Sequence, residues 1–214
     1  MIKTVLVTGS AGFIGFHLSE LLLKEGFIVV GVDCITDYYD TRLKEARLEK
    51  LSQFKNFKEE RKDITSFGSM EKVFEKYKPY YVIHLAAQAG VRYSIENPKT
   101  YLESNIIGTF NLLEAIKGMD IKHFLMASTS SVYGSNISLP FSEKQKSDNQ
   151  LSFYAATKKT NEIMTHTFSY LNKTPITMFR FFTVYGPWGR PDMALFKFTK
   201  AILENKPIQV FNYG

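Results

Sequence analysis

The sequence has a single cysteine, Cys34, in 214 residues. One thiol cannot form an internal disulfide, and this shortage is typical of proteins from a reducing compartment. No stretch comes near the roughly 18 unbroken apolar residues of a membrane-spanning helix. Residues 1–7 have the pattern of a strand before a glycine turn and lack that of a signal peptide. We therefore expect a cytoplasmic protein with no membrane partner.

Clusters of charge and of metal ligands are also missing. The 27 basic and 21 acidic residues give a net charge of +6, but the lysines are scattered along the chain. Without a long basic run or interleaved aromatic residues, we expect no nucleic-acid partner. His17, His123 and His166 have no partners at metal-ligand spacing, so no metal site is predicted. His84 lies in an apolar run and is interpreted as a core histidine.

The chain opens with a strand, a glycine turn and a helix. Residues 4–8 form a nearly continuous apolar run, typical of a parallel strand buried on both faces. Gly9, Gly12 and Gly15 follow at once, and residues 13–24 carry apolar side chains at helical spacing. Glycine lets the backbone approach a pyrophosphate, and a helix N-terminus attracts its negative charge. This order of elements predicts a dinucleotide-binding turn.

Asp33 indicates which nicotinamide cofactor is bound. A second strand, over residues 27–32, ends at this aspartate about 20 residues after the turn, where a carboxylate can bind the adenosine ribose. The same negative charge repels a 2′-phosphate, so NAD is favoured over NADP. The alternative, a tight turn and an ordinary loop aspartate, fits the strand and helix context less well.

Strand and helix patterns alternate along the rest of the chain. Further helices are expected at residues 42–51, 69–77, 98–117, 152–171 and 192–205, and further strands at 57–64, 80–85, 122–127 and 176–182. These elements predict an α/β fold, a Rossmann-type doubly wound parallel sheet of order 3-2-1-4-5-6, with a seventh strand as an option. Residues 1–214 would form one NAD-binding domain that also carries the catalytic residues.

Tyr154 and Lys158 form a candidate catalytic pair near the start of the helix over 152–171. Residues four apart lie on one helix face, and a lysine charge there would lower the pKa of the tyrosine. Tyr154 would then act as a general base, while Thr129 hydrogen-bonds the same substrate oxygen. Taken alone, the spacing also fits a solvated tyrosine beside a lysine whose stem lies along the surface.

The chain resembles the extended short-chain dehydrogenases/reductases, specifically the NAD-dependent nucleotide-sugar epimerases and dehydratases, and most of all the UDP-glucuronate 4-epimerases. The resemblance is carried by residues 7–15, 37–40, 84–94, 154–159 and 180–194. It implies inversion at C4 of a UDP-hexuronate, UDP-glucuronate or UDP-galacturonate, through a 4-keto intermediate, in the supply of polysaccharide precursors. It also implies a homodimer formed through the helices over 98–117 and 152–171.

The resemblance assigns roles to individual positions. The catalytic residues would be Thr129, Tyr154 and Lys158. The cofactor-binding residues would be Gly9, Gly12, Phe13, Ile14, Gly15, Asp33, Asp63, Ile64, Leu85, Ala86, Ala87, Asn105, Tyr154, Lys158, Phe181 and Val184. The substrate-binding residues would be Arg92, Ser130, Ser131, Thr183 and Arg190. Asn105 is expected to brace the neighbouring loop, and pairing within the fold is an equal alternative for either arginine.

Ser130 and Ser131 separate the epimerase from its sister enzymes. In the family that this chain resembles, dehydratases and decarboxylases carry acidic residues at these positions. A serine cannot act as a carboxylic acid there. Serines can instead hydrogen-bond a substrate carboxylate and hold it in the ring plane, which slows loss of CO2. A dehydratase or decarboxylase of the same family remains the alternative.

The resembling family normally continues well past the position of Gly214, and that further region supplies much of the uridine site. We therefore expect the C-terminal substrate-binding region to be mostly absent from this sequence. NAD binding is expected, while turnover of a UDP-sugar by these residues alone is expected to be weak or absent. A non-catalytic NAD-binding protein is the rival interpretation.

Overall fold

The computed structural model describes residues 3–210 and places six parallel strands in one sheet, in the order β3-β2-β1-β4-β5-β6. The predicted fold class and strand order are confirmed. No seventh strand forms within residues 3–210, and residues 1–2 and 211–214 of the predicted domain lie outside the described range. The strands are β1 Thr4–Thr8, β2 Ile28–Asp33, β3 Phe57–Arg61, β4 Tyr81–His84, β5 His123–Thr129 and β6 Ile176–Phe181.

Helices cover both faces of the sheet. They are α1 Phe13–Lys24, α2 Thr41–Ser52, α3 Ser69–Tyr77, α4 Tyr93–Glu96, α5 Pro98–Tyr101, α6 Gly108–Ala115, α7 Phe153–Asn172 and α8 Ala194–Leu203. The start predicted for α7 is confirmed, because the Ser152 hydroxyl accepts a hydrogen bond from the Ala155 amide at 3.1 Å. Such a cap satisfies an amide that has no partner inside the helix. No helix within residues 3–210 is long and apolar enough to cross a membrane.

Two apolar cores lie on opposite faces of the sheet, and β1 contributes to both. Val5 and Val7 pack with α1 and α2, whereas Leu6 between them packs with α3, α6 and α7. Successive side chains of a strand point to opposite faces, so an unbroken apolar run serves two cores. This burial on both sides explains the pattern of the first strand.

The sheet is less well covered at β6. No residue of β6 or of α8 is fully buried, and Phe179 on β6 and Phe196 on α8 are exposed. β6 pairs with β5 on one side and has no strand on its other side among the described residues. The first strands are therefore packed more completely than the last one.

The single helix predicted over residues 98–117 is wrong in its middle. Leu102–Ile107 form a π-helical segment between α5 and α6, and α6 ends at Ala115. A π-helical turn holds more residues than an α-helical one and turns its side chains relative to their neighbours. Here the buried side chain of Asn105 reaches the backbone of Gln88. Apolar spacing does not reveal this, because the residues before and after the segment remain helical.

Leu112→Ala tests the core that α6 shares with the sheet. Leu112 is fully buried, so the shortened side chain leaves a cavity and should lower the free energy of unfolding by about 2–5 kcal/mol. Urea titration followed by circular dichroism measures the loss. Phe67→Ala is the matched control, because Phe67 is 87% exposed and should change stability by less than about 0.5 kcal/mol. Equal losses in the two variants would contradict this description of the core.

Candidate active site

A cavity of about 460 Å³ opens at the carboxyl edge of the sheet. Its walls come from the glycine turn after β1 and from the loops after β2, β3, β4, β5 and β6, together with the start of α7. In open parallel sheets, ligands bind in the crevice outside the carboxyl ends of the strands, where the strand order reverses. That reversal lies between β1 and β4 here.

Almost all of the predicted site residues line this one cavity. Those that do are Gly9, Gly12, Phe13, Ile14, Gly15, Asp33, Asp63, Ile64, Leu85, Ala86, Ala87, Thr129, Ser130, Ser131, Tyr154, Lys158, Phe181, Thr183, Val184 and Arg190. Asn105 and Arg92 are not part of the lining. The structure therefore brings the candidate cofactor, catalytic and substrate residues into one space.

The glycine turn is built on close backbone contacts. Gly9 has a φ of +75°, and a Cβ atom there would lie 2.7 Å from the amide nitrogen of Ala86. A Cβ atom on Gly15 would overlap the carbonyl oxygen of Gly9. Side chains at these positions would therefore displace either the turn or the loop after β4. Their absence leaves a backbone cradle at the N-terminus of α1, the environment that a pyrophosphate requires.

Asp33 is held in place at the end of β2. Its carboxylate accepts hydrogen bonds from the Ala11 amide at 3.0 Å and from the Ile35 amide at 2.9 Å. These two contacts join the loop after β2 to the glycine turn. Each oxygen retains acceptor capacity, so the side chain can also bind a hydroxyl group in the cavity.

Asn105 braces the cavity wall from behind. Its amide accepts from the Gln88 amide at 2.8 Å and donates to the Gln88 carbonyl and to the Thr157 hydroxyl, each at 3.0 Å. Both donor hydrogens are thus used, and the side chain is completely buried. The bracing role expected for Asn105 is observed, and its predicted contact with the cofactor stays a prediction.

The two arginines of the predicted substrate set occupy different environments. Arg92 is exposed at the start of α4 and does not line the cavity, so its predicted contact with the substrate stays a prediction. Arg190 lines the cavity and binds Asp192 through its Nε at 3.0 Å and its Nη2 at 2.5 Å. Asp192 also accepts a hydrogen bond from the Tyr38 hydroxyl at 3.2 Å. The Arg190 charge is thus largely balanced within the fold, as the alternative interpretation held.

Lys158 is buried and Tyr154 is partly buried, and loss of water dominates the ionisation of both. Burial raises the pKa of Tyr154 above its ordinary value, while a hydrogen bond with Thr129 and the charge of Arg190 lower it. Burial lowers the pKa of Lys158 to about 8. The lysine Nζ donates to the Ala127 carbonyl at 2.8 Å. The pKa of Tyr154 is therefore raised and not lowered as predicted, because removing a phenolate from water outweighs the nearby favourable groups.

His84 has the core role that was expected. Its two ring nitrogens lie 2.7 Å from the Thr8 hydroxyl and 3.0 Å from the Thr109 hydroxyl, and the ring is buried. Burial lowers its pKa to about 3, so the ring is neutral at physiological pH. The described residues contain no group of three His, Cys, Asp or Glu side chains placed to hold a metal ion.

Sequence reasoning missed several residues that line the cavity, among them Lys44 and Tyr38. Lys44 is buried and donates to the carbonyl and the hydroxyl of Thr36, at 2.7 and 2.9 Å. Tyr38 joins the loop after β2 to Asp192 in the loop after β6. Residues 37–40 were noted as a motif, but the fold alone shows that this motif meets the last loop.

The model of the family described as GDP-mannose 4,6 dehydratase matches residues 6–213. Protein CapI of Staphylococcus aureus is 54% identical over 98% of this chain, and the match covers 63% of that relative. The UDP-glucuronate 4-epimerase of Thermodesulfobacterium geofontis is 52% identical over 98% of this chain, covering 64% of that relative. The chain thus spans less than two thirds of the length of these relatives.

A solved structure shows a similar fold. The UDP-glucuronic acid 4-epimerase from Bacillus cereus, in complex with UDP-glucuronic acid and NAD, has a TM-score of 0.92 and 39% sequence identity. The match covers 98% of this chain and 66% of the other. With the family match to residues 6–213, these similarities show that the chain belongs to the GDP-mannose 4,6 dehydratase family, among the NAD-dependent epimerases and dehydratases of the extended short-chain dehydrogenases/reductases.

Proposed function

We propose that the chain binds NAD and takes part in inverting C4 of a UDP-hexuronate, with UDP-glucuronate and UDP-galacturonate as the two epimers. The observation that carries this proposal is the placement of Thr129, Tyr154 and Lys158 in the same cavity as the glycine turn. The similarity to an epimerase solved with UDP-glucuronic acid and NAD supports it. Residues 1–214 would act as the dinucleotide-binding domain, and the remaining part of the longer relatives would carry most of the substrate-binding residues.

The described residues fit the proposed cofactor. The turn around Gly9 and Gly15 leaves a cradle that side chains would fill, as a pyrophosphate requires. Asp33 offers acceptor oxygens to ribose hydroxyls and opposes a 2′-phosphate, which favours NAD over NADP. Phe181 and Val184 lie in the wall beside the catalytic residues and would flank the nicotinamide.

NAD, when bound, would accept a hydride from C4 and later return it. Tyr154 would take the proton from the C4 hydroxyl and give a proton back to the same oxygen after the 4-keto sugar has turned over. Thr129 would hold that oxygen by a hydrogen bond. The charge of Lys158 favours the phenolate form of Tyr154, and its ammonium would also hold the nicotinamide ribose.

The lining of the cavity favours epimerisation over dehydration or decarboxylation. The carboxylates in the lining are Asp33 and Asp63, in the loops after β2 and β3, and the residues after Thr129 are Ser130 and Ser131. A carboxylic acid suited to eliminating water is thus missing beside Thr129 among the described residues. The two serines can bind a substrate carboxylate and hold it in the ring plane, and Thr183 adds a third hydroxyl group.

A homodimer is proposed through residues 98–117 and 152–171. Both segments expose apolar side chains, including Leu102, Ile107 and Phe110 on the first and Phe153 and Ile163 on the second. Covering these side chains with those of a second copy would remove them from water. The enzyme would act in the cytoplasm, in the supply of precursors for polysaccharides.

Product analysis with Tyr154→Phe tests the proposed reaction. Incubated with NAD and UDP-glucuronate, the unchanged chain should slowly form UDP-galacturonate, detected by proton NMR. The variant should form at least about 100-fold less, because the ring stays but the proton acceptor is lost. Tyr80→Phe is the matched control, since Tyr80 precedes β4 at the opposite edge of the sheet. Formation of UDP-xylose or of a dehydrated sugar would refute the assignment.

Separate titrations with NAD and with UDP-glucuronate distinguish the rival function. The short span of the chain relative to its relatives favours a protein that binds the dinucleotide alone. Calorimetry on the wild-type chain should detect binding of NAD and, in its presence, binding of the UDP-sugar. NAD binding without any UDP-sugar binding would support the rival function. Failure to bind either ligand would contradict both functions.

Phe110→Lys tests the proposed dimer. Phe110 is 47% exposed in the single chain, so a lysine there should be tolerated by the fold but should oppose burial in an interface. Sedimentation velocity should show twice the chain mass for the wild type and the chain mass for the variant. Phe67→Lys serves as the control because it adds the same charge on another surface and should leave the dimer intact. A wild-type chain that sediments as a monomer would contradict the proposal.

The buried charge of Lys158 predicts an unusual pH dependence of stability. Its pKa is about 8 when folded and 10.5 when exposed, so the unfolded chain binds more protons between these values. Stability from this group therefore rises as the pH increases from 8 to 10.5, by up to about 3 kcal/mol. Lys158→Met should lack the rise when urea unfolding is compared at pH 7.5 and pH 10. The same change in the free energy of unfolding between pH 7.5 and pH 10 in wild type and variant would contradict the burial of Lys158.

A further inference from the structure

A buried carboxylate lies one helical turn beyond Lys158, outside the cavity lining. Glu162 on α7 is 6% exposed. Its Oε1 accepts hydrogen bonds from the Ser128 hydroxyl at 2.6 Å and from the Arg180 Nε at 2.9 Å, and its Oε2 accepts from the Arg180 Nη2 at 2.9 Å. Although burial opposes its ionisation, these hydrogen bonds hold its pKa below the ordinary value. Glu162 is therefore an anion at neutral pH.

The contacts of Glu162 continue a series that joins α7 to the ends of two strands. Tyr154, Lys158 and Glu162 lie on successive turns of one helix face. They interact in turn with Thr129, with the Ala127 carbonyl and with the Ser128 hydroxyl, which are consecutive residues of β5.

Arg180 extends this series to β6, where it pairs in register with Ser128. A shift of α7 along the sheet would break the Glu162 contacts with both strands at once. The Glu162 carboxylate thus fixes the position of α7 along the sheet, and with it the positions of Tyr154 and Lys158 at the cavity.

The same carboxylate acts on the charge of Lys158. Burial disfavours the ammonium form, and the negative charge of Glu162 opposes that effect. The other groups near Lys158 cannot do so. His84 on β4 is neutral, Tyr154 keeps its proton because burial raises its pKa, and Lys159 is a further cation 3.7 Å from the Glu162 Oε2.

The Arg180 guanidinium on β6 is a cation as well and binds the far side of Glu162. The cluster therefore contains one anion among three cations, Lys158, Lys159 and Arg180. Removing that anion would leave the buried Lys158 and the partly buried Lys159 and Arg180 without a compensating charge.

We propose that Glu162 is a positioning residue for the catalytic pair, which registers α7 on β5 and β6 and keeps Lys158 in its charged form. What Lys158 does in that form rests on the proposed function. The charge of Lys158 itself can be measured without cofactor or substrate, so the inference can fail or stand independently of the reaction.

Glu162→Gln tests the electrostatic part, because the amide keeps the shape of the side chain and loses the charge. The full chain is labelled with 13C at the lysine Cε atoms, and Lys158→Met identifies the Lys158 signal in NMR titrations. The pKa of Lys158 should fall by about one unit in the glutamine variant. Glu162→Asp restores the charge and should return the pKa towards the wild-type value. An unchanged Lys158 pKa in Glu162→Gln would overturn the inference.

Two further variants test whether the change in the Lys158 pKa is specific to loss of the Glu162 charge. Glu114→Gln removes a carboxylate from α6, where it faces Lys117 at 3.8 Å, and should leave the Lys158 pKa unchanged. If Glu162→Gln does not fold, the double variant Glu162→Gln with Lys158→Met decides, because it removes one uncompensated cation. The double variant should regain a cooperative thermal unfolding transition in the buffer in which Glu162→Gln shows none. No recovery would mean that Glu162 merely partners Arg180, and the inference would fall.

Titration of the same variants with NAD keeps the two proposals apart. If wild type binds NAD, Glu162→Gln should weaken binding more at pH 8 than at pH 6, because the variant loses the Lys158 charge first. Equal weakening at both values would count against the inference. A wild-type chain that fails to bind NAD would refute the proposed cofactor, while the Lys158 titration would still decide the role of Glu162.

Discussion

The close approach of two backbones, at the point where the strand order reverses, underlies the rest of this structure. Gly9 after β1 and Ala86 after β4 lie so near each other that a single added carbon atom would not fit between them. This contact is possible because β1 and β4 are direct neighbours in the sheet. The loops after the neighbouring strands meet around one cavity there, and Asp33, Tyr154 and Lys158 line it.

The sequence predicted most of the fold because two patterns are strong in this chain: continuous apolar runs for the buried strands, and helical spacing of apolar residues for the helices. Apolar runs identified the parallel strands, and the glycine turn, Asp33 and the Tyr154–Lys158 spacing identified the cavity. The π-helical segment at Leu102–Ile107 was not predicted, since it preserves helical character on both sides. The resemblance assigned Asn105 to the cofactor, and bracing of the neighbouring loop was expected as well; its side chain contacts the Gln88 backbone.

Ionisation was the property that sequence spacing described least well. Spacing places a lysine beside a tyrosine, but it contains no measure of how much water either group loses. In the folded chain, burial raises the pKa of Tyr154 and lowers that of Lys158, so each group favours its neutral form. The compensating anion is Glu162, one helical turn beyond Lys158. Its contacts with Ser128 on β5 and Arg180 on β6 hold it there. Its role depends on tertiary contacts that no local pattern contains.

The uneven covering of the sheet has a consequence for motion. Glycine-turn residues rest on strands packed from both faces, whereas Phe181 and Val184 belong to the β6 side, where neither strand nor following helix has a fully buried residue. Free energies of local opening follow the amount of buried apolar contact, so the β6 wall should open more often than the wall formed by the glycine turn. The cavity thus joins a more rigid wall at the glycine turn to a more yielding wall at β6.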